Sequence, residues 1–388
     1  MAHFSLVSGG PFYRMLVRAR LIKADPRHAF KRAAWFALIT WLPLLALSVM
    51  EGVAIGGAVH VPFFHDFAAQ TRFLLAGPLL IIVEIMIDPR IRSVAMHFID
   101  SGLVQKDDLP EFESAVAEVS RLRNLTWVEM MFLAAVVIVS LSGFKAESLS
   151  GGISTWHEIT SESGPRVTLA GWWFAAVSMP LFQFLLLRWL WTLLIWSFFL
   201  WRMSRLDLRL VATHPDLAGG LGFLGGGQAK FGPLIFAASS VAAAALGQRI
   251  IFGGEPLVSF KTTIVAYVAL ILFIFLGPLL VFSSKLLTVK RQGLLDYGKL
   301  ATGYTQSFDG KWVRGHAPEG EALLGSSDLQ SLADLGNSYQ VVRSMRVFPV
   351  SRDNIIAIVG PALIPMLPLA LTVVPLEELL LKVAKLLF

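Results

Sequence analysis

Four ionisable side chains lie within or beside long apolar runs of this 388-residue chain, where charged groups are rare. Glu84 precedes Asp88 by four residues, so the two share one helix face if Pro89 bends the helix without ending it. Glu129 and Arg188 lie in two later apolar runs. An ionisable residue inside a membrane helix marks a solute or proton path by default. These four residues are therefore the candidates for lining or gating a pore.

A purely structural role is the alternative for the same residues. Arg188 is the basic residue placed to meet the acids, and pairing it with Glu84 or Glu129 would join three helices. These side chains could also extend to lipid headgroups, since charges near the interface cost far less than charges at the membrane centre. Arg72 and Arg249, at the outer ends of their helices, are interpreted as headgroup-facing residues.

A glycine-rich loop at 213–228 is the most distinctive segment. It contains the pattern G-x-G-x-x-G at Gly220, Gly222 and Gly225. A dinucleotide site needs a preceding strand and a βαβ unit, whereas an apolar helix leads into this loop, and no Gly-Lys-Ser/Thr follows it. The glycines indicate instead a tightly packed or re-entrant turn. The candidate helix-start or ligand groups of the loop are His214, Asp216, Gly220 and Gly222.

A stripe of small residues marks another apolar run. Ser239, Ala243 and Gly247 recur at every fourth position, and the stretch around them, 237–245, is nearly all small. This pattern lets a second helix approach closely. It predicts helix packing, inside one chain or between subunits, in preference to a pore lining.

Chemistry based on cysteine is excluded because the sequence contains no cysteine. His60, His65, Asp66 and His157 fall in two loops, and such scattered positions are more typical of solvated residues than of a metal site. No Ser-His-Asp or paired-carboxylate arrangement follows from spacing. We therefore predict no catalytic set, no metal and no cofactor, and an enzyme is not favoured.

The elements that position these residues are apolar runs long enough to cross a lipid bilayer, which needs about 20 apolar residues of helix. The composition agrees, since 55% of the residues are hydrophobic, 15% are charged and the mean hydropathy is +0.66. The predicted fold class is all-α, a polytopic transmembrane helix bundle with six spans and additional cytoplasmic amphipathic helices. The six spans are Ala33–Val53, Ala68–Ile87, Leu125–Phe144, Leu169–Trp201, Phe231–Phe252 and Thr262–Phe282.

A seventh apolar run, Ile355–Val374, contains Pro361, Pro365 and Pro368. Proline removes a backbone donor and bends helices, so this run is either a kinked span or a hairpin that enters the membrane and returns. The tail after it is short and amphipathic, as expected for a helix lying in the interface. Residues 355–388 thus form a Pro-rich membrane segment with an amphipathic tail.

Lysine and arginine orient the spans, because cytoplasmic segments carry the excess of positive charge. The basic N-terminal segment 1–32, the insertions 88–124 and 202–230 of the six-span bundle 33–282, and the helical segment 283–354 hold 25 basic residues, against five on the opposite side. The N-terminus is therefore predicted to be cytoplasmic, as a signal anchor without a cleavable leader, with anionic lipid at that face. The net charge of +6 reflects this topology and does not indicate nucleic acid.

Two amphipathic helices are predicted on the cytoplasmic side. The first, at 112–122, follows an acidic start with a proline at Pro110, and the second, at 329–345, has its apolar residues on one stripe. Both could pack against the bundle or each other, and either could offer a docking face to a protein partner.

Three segments of the C-terminal half resemble a family of uncharacterised bacterial polytopic inner-membrane proteins. They are the loop 213–224, which reads Thr-His-Pro-Asp-Leu-Ala-Gly-Gly-Leu-Gly-Phe-Leu, the stretch 323–335, which reads Leu-Leu-Gly-Ser-Ser-Asp-Leu-Gln-Ser-Leu-Ala-Asp-Leu, and the region 367–379. The resemblance implies a multi-pass protein of the bacterial inner membrane. It carries over no activity and no catalytic residue.

The leading functional hypothesis from the sequence is a homo-oligomeric channel or transporter for a small ion or solute, with Glu84, Glu129 and Arg188 at its inner mouth. It rests on charges near membrane depth and on the lack of a soluble catalytic domain. A non-transporting scaffold or accessory subunit, docking a partner through its cytoplasmic helices, is the second hypothesis. An enzyme acting on lipid through His214 and Asp216 is the third.

Overall fold

The computed structural model describes residues 5–6, 26–149, 155–161 and 164–371 of the chain. These residues are mostly helical, which confirms the all-α prediction. The predicted interfacial tail and most of the basic segment 1–32 lie outside the described residues. In chain order the α-helices are α1 Pro26–Thr40, α2 Leu42–Met50, α3 Phe67–Gln70, α4 Gly77–Asp100, α5 Leu109–Arg123, α6 Thr126–Leu149, α7 Leu169–Trp173, α8 Met179–Met203, α9 Phe223–Ala229, α10 Gly232–Gly253, α11 Lys261–Leu276, α12 Ser283–Phe308, α13 Ser327–Ser344, α14 Arg352–Leu363 and α15 Leu367–Ala370.

Short irregular helices join several of these elements into longer rods. Wider π-helical turns link α3 to α4 and α7 to α8, at Thr71–Ala76 and Phe174–Ser178. Tighter 3-10 turns at Gly277–Phe282 and Ile364–Met366 link α11 to α12 and α14 to α15. The second residue of each of these 3-10 turns is a proline, consistent with the missing backbone donor that proline brings.

Six of the described helical rods are long and apolar enough to cross a membrane. These rods are His28–Met50, Lys106–Ser140, Leu169–Met203, Gly232–Gly253, Leu257–Val313 and Arg352–Ala370. Five of them contain, wholly or in large part, spans predicted from the sequence. The sixth contains most of the Pro-rich seventh run, which therefore has the length and composition of a span.

The helix over the predicted second span, Ala68–Ile87, is not one of these six. It lies at the centre of the bundle, where it packs against α1, α8 and α10 and buries its apolar side chains between helices. Trp41 donates to Gln70 at 2.6 Å and Arg32 reaches Glu84 at 3.1 Å, so the helix runs antiparallel to α1 through the same layer. The central helix is thus enclosed by other helices of the chain, which shield it from lipid.

The Pro-rich segment runs in one direction along α10. Positions 225, 232 and 247 approach Asn354, Pro361 and Leu369 in turn. Chain numbers rise together on the two sides, so α14 and α15 lie parallel to α10. Within the described residues this segment is therefore a bent crossing helix and makes no hairpin.

The two helices predicted at 112–122 and 329–345 are present, and each packs on another helix of the chain. On α5, Phe112, Val116 and Val119 are buried against α8, and Glu118 forms an ion pair with Arg202 at 3.2 Å. The α13 helix packs along α12, the extension of the sixth predicted span, and buries Val342, whereas Leu329 stays exposed. The buried side chains stabilise the chain itself, and the exposed ones remain a predicted docking surface.

A small β-hairpin is the only sheet in the described residues. Its strands, β1 Glu158–Ser161 and β2 Gly164–Val167, pair in antiparallel register between α6 and α7. Glu51, at the end of α2, accepts the backbone N–H of Leu169 at 2.9 Å and so caps the start of α7. The hairpin closes one end of the bundle without forming a separate domain.

Candidate functional site

The principal charged cluster lies where α1, α4 and α8 meet. Glu84 forms an ion pair with Arg32 through Oε2 at 3.1 Å and another with Arg188 through Oε1 at 3.4 Å. The side chains are only 14%, 11% and 15% exposed for Arg32, Glu84 and Arg188. The predicted meeting of Glu84 with Arg188 is present. Arg32 was missed, because its place on the basic N-terminal side of the first span suggested a solvated residue.

Asp88 lies one turn beyond Glu84 on the same helix, which continues through Pro89. Its carboxylate accepts hydrogen bonds from the hydroxyl of Ser5, at 2.8 and 2.9 Å, and from the backbone N–H of Leu6, at 2.9 Å. The guanidinium of Arg123 in turn donates to the carbonyl of Ser5 at 2.6 Å. Asp88 therefore fixes residues 5–6 of the N-terminal segment by hydrogen bonds. The partners lie more than 80 positions apart, so spacing along the sequence could not predict this contact.

Glu129 lies half-buried in the first turn of α6. Its carboxylate is suited to that position, since the positive end of the helix dipole lies there. Both ion pairs of Glu84 are made by Arg32 and Arg188. The arrangement joins α1, α4 and α8, whereas Glu129 lies at the start of α6.

Arg72 differs from the expected headgroup-facing residue. It lies on the π-helical turn Thr71–Ala76, half-buried, with its guanidinium 5.8 Å from the ring centre of Phe182, which is itself buried. Within the described residues the guanidinium makes no hydrogen bond and no ion pair. Asp66 is the nearby acid that acts on it electrostatically, but its oxygens accept from the N–H groups of Trp156 and Ala69.

The two π-helical turns lie side by side in the bundle. Phe73 on the first turn packs edge-on against Phe174 on the second, with ring centres 6.1 Å apart. A π-helical turn widens a helix by one residue, and such turns occur frequently at functional sites. Arg72 therefore lies at a pair of irregular turns, one preceding α4 and the other preceding α8. The same two helices carry Glu84 and Arg188.

The glycine-rich loop folds around the carboxylate of Asp216. Backbone N–H groups of Ala218, Gly220 and Gly222 donate to it at 2.8, 3.1 and 2.7 Å, and Nδ1 of His214 lies 2.8 Å from Oδ1. Burial by itself raises the pKa of Asp216, but the hydrogen bonds from Gly222, Ala218, Gly220 and His214 outweigh it and lower the pKa below the ordinary value of 3.8. The amides that would bind a phosphate in a nucleotide loop thus bind this side chain.

Glycine is required in this loop for two reasons. Gly220 has a φ of +98°, a conformation that other residues rarely adopt, and a Cβ at position 222 would lie 2.9 Å from an oxygen of Asp216. Leu217 also has a positive φ, of 54°, and its carbonyl accepts the backbone N–H of Arg346 at 2.7 Å. The loop is therefore a tightly packed turn, as the sequence indicated, held against the segment before α14.

Replacing Asp216 with asparagine is expected to destabilise the protein by about 1–3 kcal/mol at neutral pH, because several amide donors lose a charged acceptor. The carboxylate binds its proton less readily when the protein is folded. Its contribution is therefore complete above the unfolded pKa near 3.8 and is lost as pH falls through the folded pKa. Unfolding measured between about pH 3 and pH 7 should show wild type and variant converging at the acid end. Asp207→Asn, an exposed carboxylate nearby, is the control and should change little.

The small-residue stripe packs within the chain. The hydroxyls of Ser239 and Tyr267 lie 2.9 Å apart, which ties α10 to α11. Ala243 is buried in a cluster with Met366 and Leu369, and a Cβ at Gly247 would lie 3.2 Å from Leu369. The stripe was predicted to pack either inside one chain or between subunits. In the structure it packs against residues of the same chain.

The loop histidines do not converge. His60 and His65 both lie near the ring of Phe252, whereas His157 stacks on Phe174 with ring centres 5.8 Å apart. No group of three or more His, Asp or Glu side chains in the described ranges has the arrangement of a metal site.

No family model, no curated protein and no solved structure matches the chain. The class of the protein is therefore inferred from its architecture alone. Long apolar helical rods packed side by side make it a multi-pass integral membrane protein.

Proposed function

We propose that the protein is a homo-oligomeric transporter or channel for a small anion, with Arg72 as its outer binding group and the Arg32–Glu84–Arg188 cluster at its inner mouth. The observation that carries this proposal is Arg72, a half-buried guanidinium with no hydrogen bond or ion pair in the described residues. Ionisable residues that lie between membrane helices mark ion and solute pathways.

The sign of the charge supports an anion. The one acid that acts on Arg72, Asp66, already accepts two hydrogen bonds, so the guanidinium keeps donor capacity for a ligand. At the inner level, Arg32 and Arg188 both pair with Glu84. Arg72 and Glu84 lie on one helix and Arg188 on its neighbour, so the interface of these helices carries charge at two depths.

Ion flux into proteoliposomes tests this proposal. We expect wild-type vesicles to take up chloride, nitrate or phosphate faster than empty vesicles, and Arg72→Gln to slow uptake about tenfold, the equivalent of about 1.4 kcal/mol of binding free energy. Arg72→Lys should retain part of the flux because it keeps the charge. Arg249→Gln is the control, since Arg249 pairs with Glu255 on the exposed surface.

If no flux is measured, a non-transporting scaffold is the alternative function. Wild-type uptake of anions, cations and protons at the rate of empty vesicles would refute transport. The observation that favours a scaffold is the arm formed by α12 and α13, on which Leu295, Leu300 and Leu329 are exposed. Recovery of a stoichiometric partner in mild detergent, lost when these leucines become serine, would then support docking through the arm.

The orientation in the bacterial inner membrane is part of the same proposal, with the basic segments and anionic lipid on the cytoplasmic side. The sequence has no cysteine, so a single introduced cysteine gives an unambiguous label. We expect a membrane-impermeant maleimide to label Ser259→Cys in intact spheroplasts and Ser307→Cys only after lysis. Both serines are exposed, at opposite ends of the rod Leu257–Val313. The reverse labelling would place the N-terminus outside.

A further inference from the structure

A pocket of about 450 Å³ lies between the end of α4 and the glycine-rich loop. Its volume is in the range of small-molecule sites. Its polar lining comes from His97, Ser101, Arg209, His214 and Asp216, and its apolar lining includes Leu103, Val211 and Phe223. The pocket is separate from the charged cluster at Glu84.

Arg209 is the charged group of this pocket that remains available to a ligand. Its side chain is exposed, and its guanidinium makes no ion pair or hydrogen bond to any residue that the structure describes. Its backbone is fixed, since its N–H donates to the carbonyl of Leu103 at 2.9 Å. A guanidinium on an anchored backbone suits a phosphate, which it can bind through two parallel hydrogen bonds.

Asp216, the acid among the lining residues, repels a bound anion only weakly. Asp216 is surrounded by three backbone N–H donors and His214, which compensate its charge. The last carbonyls of α4 are bonded as well, because the backbone N–H groups of Ser101, Gly102 and Val104 donate to them. The uncommitted polar groups of the pocket are therefore mainly donors.

An aromatic wall completes the pocket. The rings of His97 and Phe223 meet edge to face with centres 4.4 Å apart, and Phe223 continues to the buried Phe98 at 5.2 Å. Rings and aliphatic side chains bury the flat or apolar part of a ligand, while the arginine orients its charged end.

We propose that this pocket binds a phosphate monoester of a small organic molecule, with Arg209 on the phosphate and the His97–Phe223 wall against the organic part. The phosphate can come from a soluble ester or from the headgroup of a phosphatidic acid-type lipid, since both present the same dianionic group. The inference does not depend on transport.

Binding to the full chain in phosphatidylcholine nanodiscs tests the inference by calorimetry. The probes are adenosine 5′-monophosphate, adenosine, inorganic phosphate, dioctanoyl phosphatidic acid and dioctanoyl phosphatidylcholine. We expect a phosphate monoester to bind at least tenfold more tightly than its phosphate-free counterpart, and Arg209→Gln to weaken that binding about tenfold. His97→Gln should weaken the ester more than inorganic phosphate. Arg205→Gln, whose guanidinium lies over Trp201, is the matched control.

The outcomes separate the two sources of phosphate. Arg209-dependent binding of the monophosphate assigns a soluble ester, and Arg209-dependent binding of phosphatidic acid alone assigns a lipid headgroup. The inference is overturned if no phosphate probe binds, or if binding is equal in wild type, Arg209→Gln and His97→Gln. Both substituted side chains are exposed, so the variants should fold, and circular dichroism checks this.

Discussion

Replacing Glu84 with glutamine is expected to destabilise the folded protein by about 3–5 kcal/mol, the cost of removing one partner from a buried ion pair. Glutamine keeps the size of the side chain but removes the charge. The guanidinium groups of Arg32 and Arg188, which are 14% and 15% exposed, would then each lose the carboxylate that Glu84 supplies. Unfolding by sodium dodecyl sulfate in mixed micelles, followed by circular dichroism, measures the loss.

Two further variants show whether the loss comes from the arginines that pair with Glu84. Glu255→Gln removes the acid of an exposed ion pair with Arg249 and should cost less than about 1 kcal/mol. Adding Arg188→Met to Glu84→Gln should recover part of the stability, since it removes one of the two charges that Glu84 balances. Equal effects of Glu84→Gln and Glu255→Gln would show that the cluster contributes no more than a surface pair.

The sequence predicts the parts of this fold that depend on local composition. Apolar runs gave the helical rods, because only a self-bonded helix can bury its backbone in lipid. The four-residue spacing of Glu84 and Asp88 placed both on one helix face, and α4 continues through Pro89. The glycine pattern indicated a close turn, and the bonds of Asp216 to residues 218, 220 and 222 are all local in sequence.

The parts that the sequence leaves open depend on which helices become neighbours. Arg32 joins Glu84 across 52 positions, and Ser5 joins Asp88 across 83. Spacing along one helix says nothing about such pairs. Arg72 was interpreted as facing headgroups because it lies near a helix end, but the π-helical turn and Phe182 place it between helices. The pocket between the end of α4 and the glycine-rich loop also combines residues that lie more than 100 positions apart.

Substituting alanine at two adjacent glycines of α9 is expected to shift stability in opposite directions. A Cβ at Gly225 would lie 2.3 Å from Oδ1 of Asn354 and 2.9 Å from the carbonyl oxygen of Pro349. That Asn354 oxygen cannot move freely, because it accepts the backbone N–H of Ser351 in the capping box of α14. Gly225→Ala should therefore cost about 1–3 kcal/mol, as overpacked sites do.

Gly226→Ala is the matched variant, since a Cβ there meets no atom within 4 Å. Alanine is favoured over glycine inside a helix by about 1 kcal/mol, so this variant should be neutral or more stable. Thermal unfolding of both variants in one detergent measures the difference. Helix propensity alone would raise both stabilities, and that result would mean that α9 and α14 do not approach closely. Opposite shifts would show that α9 packs closely against the start of α14.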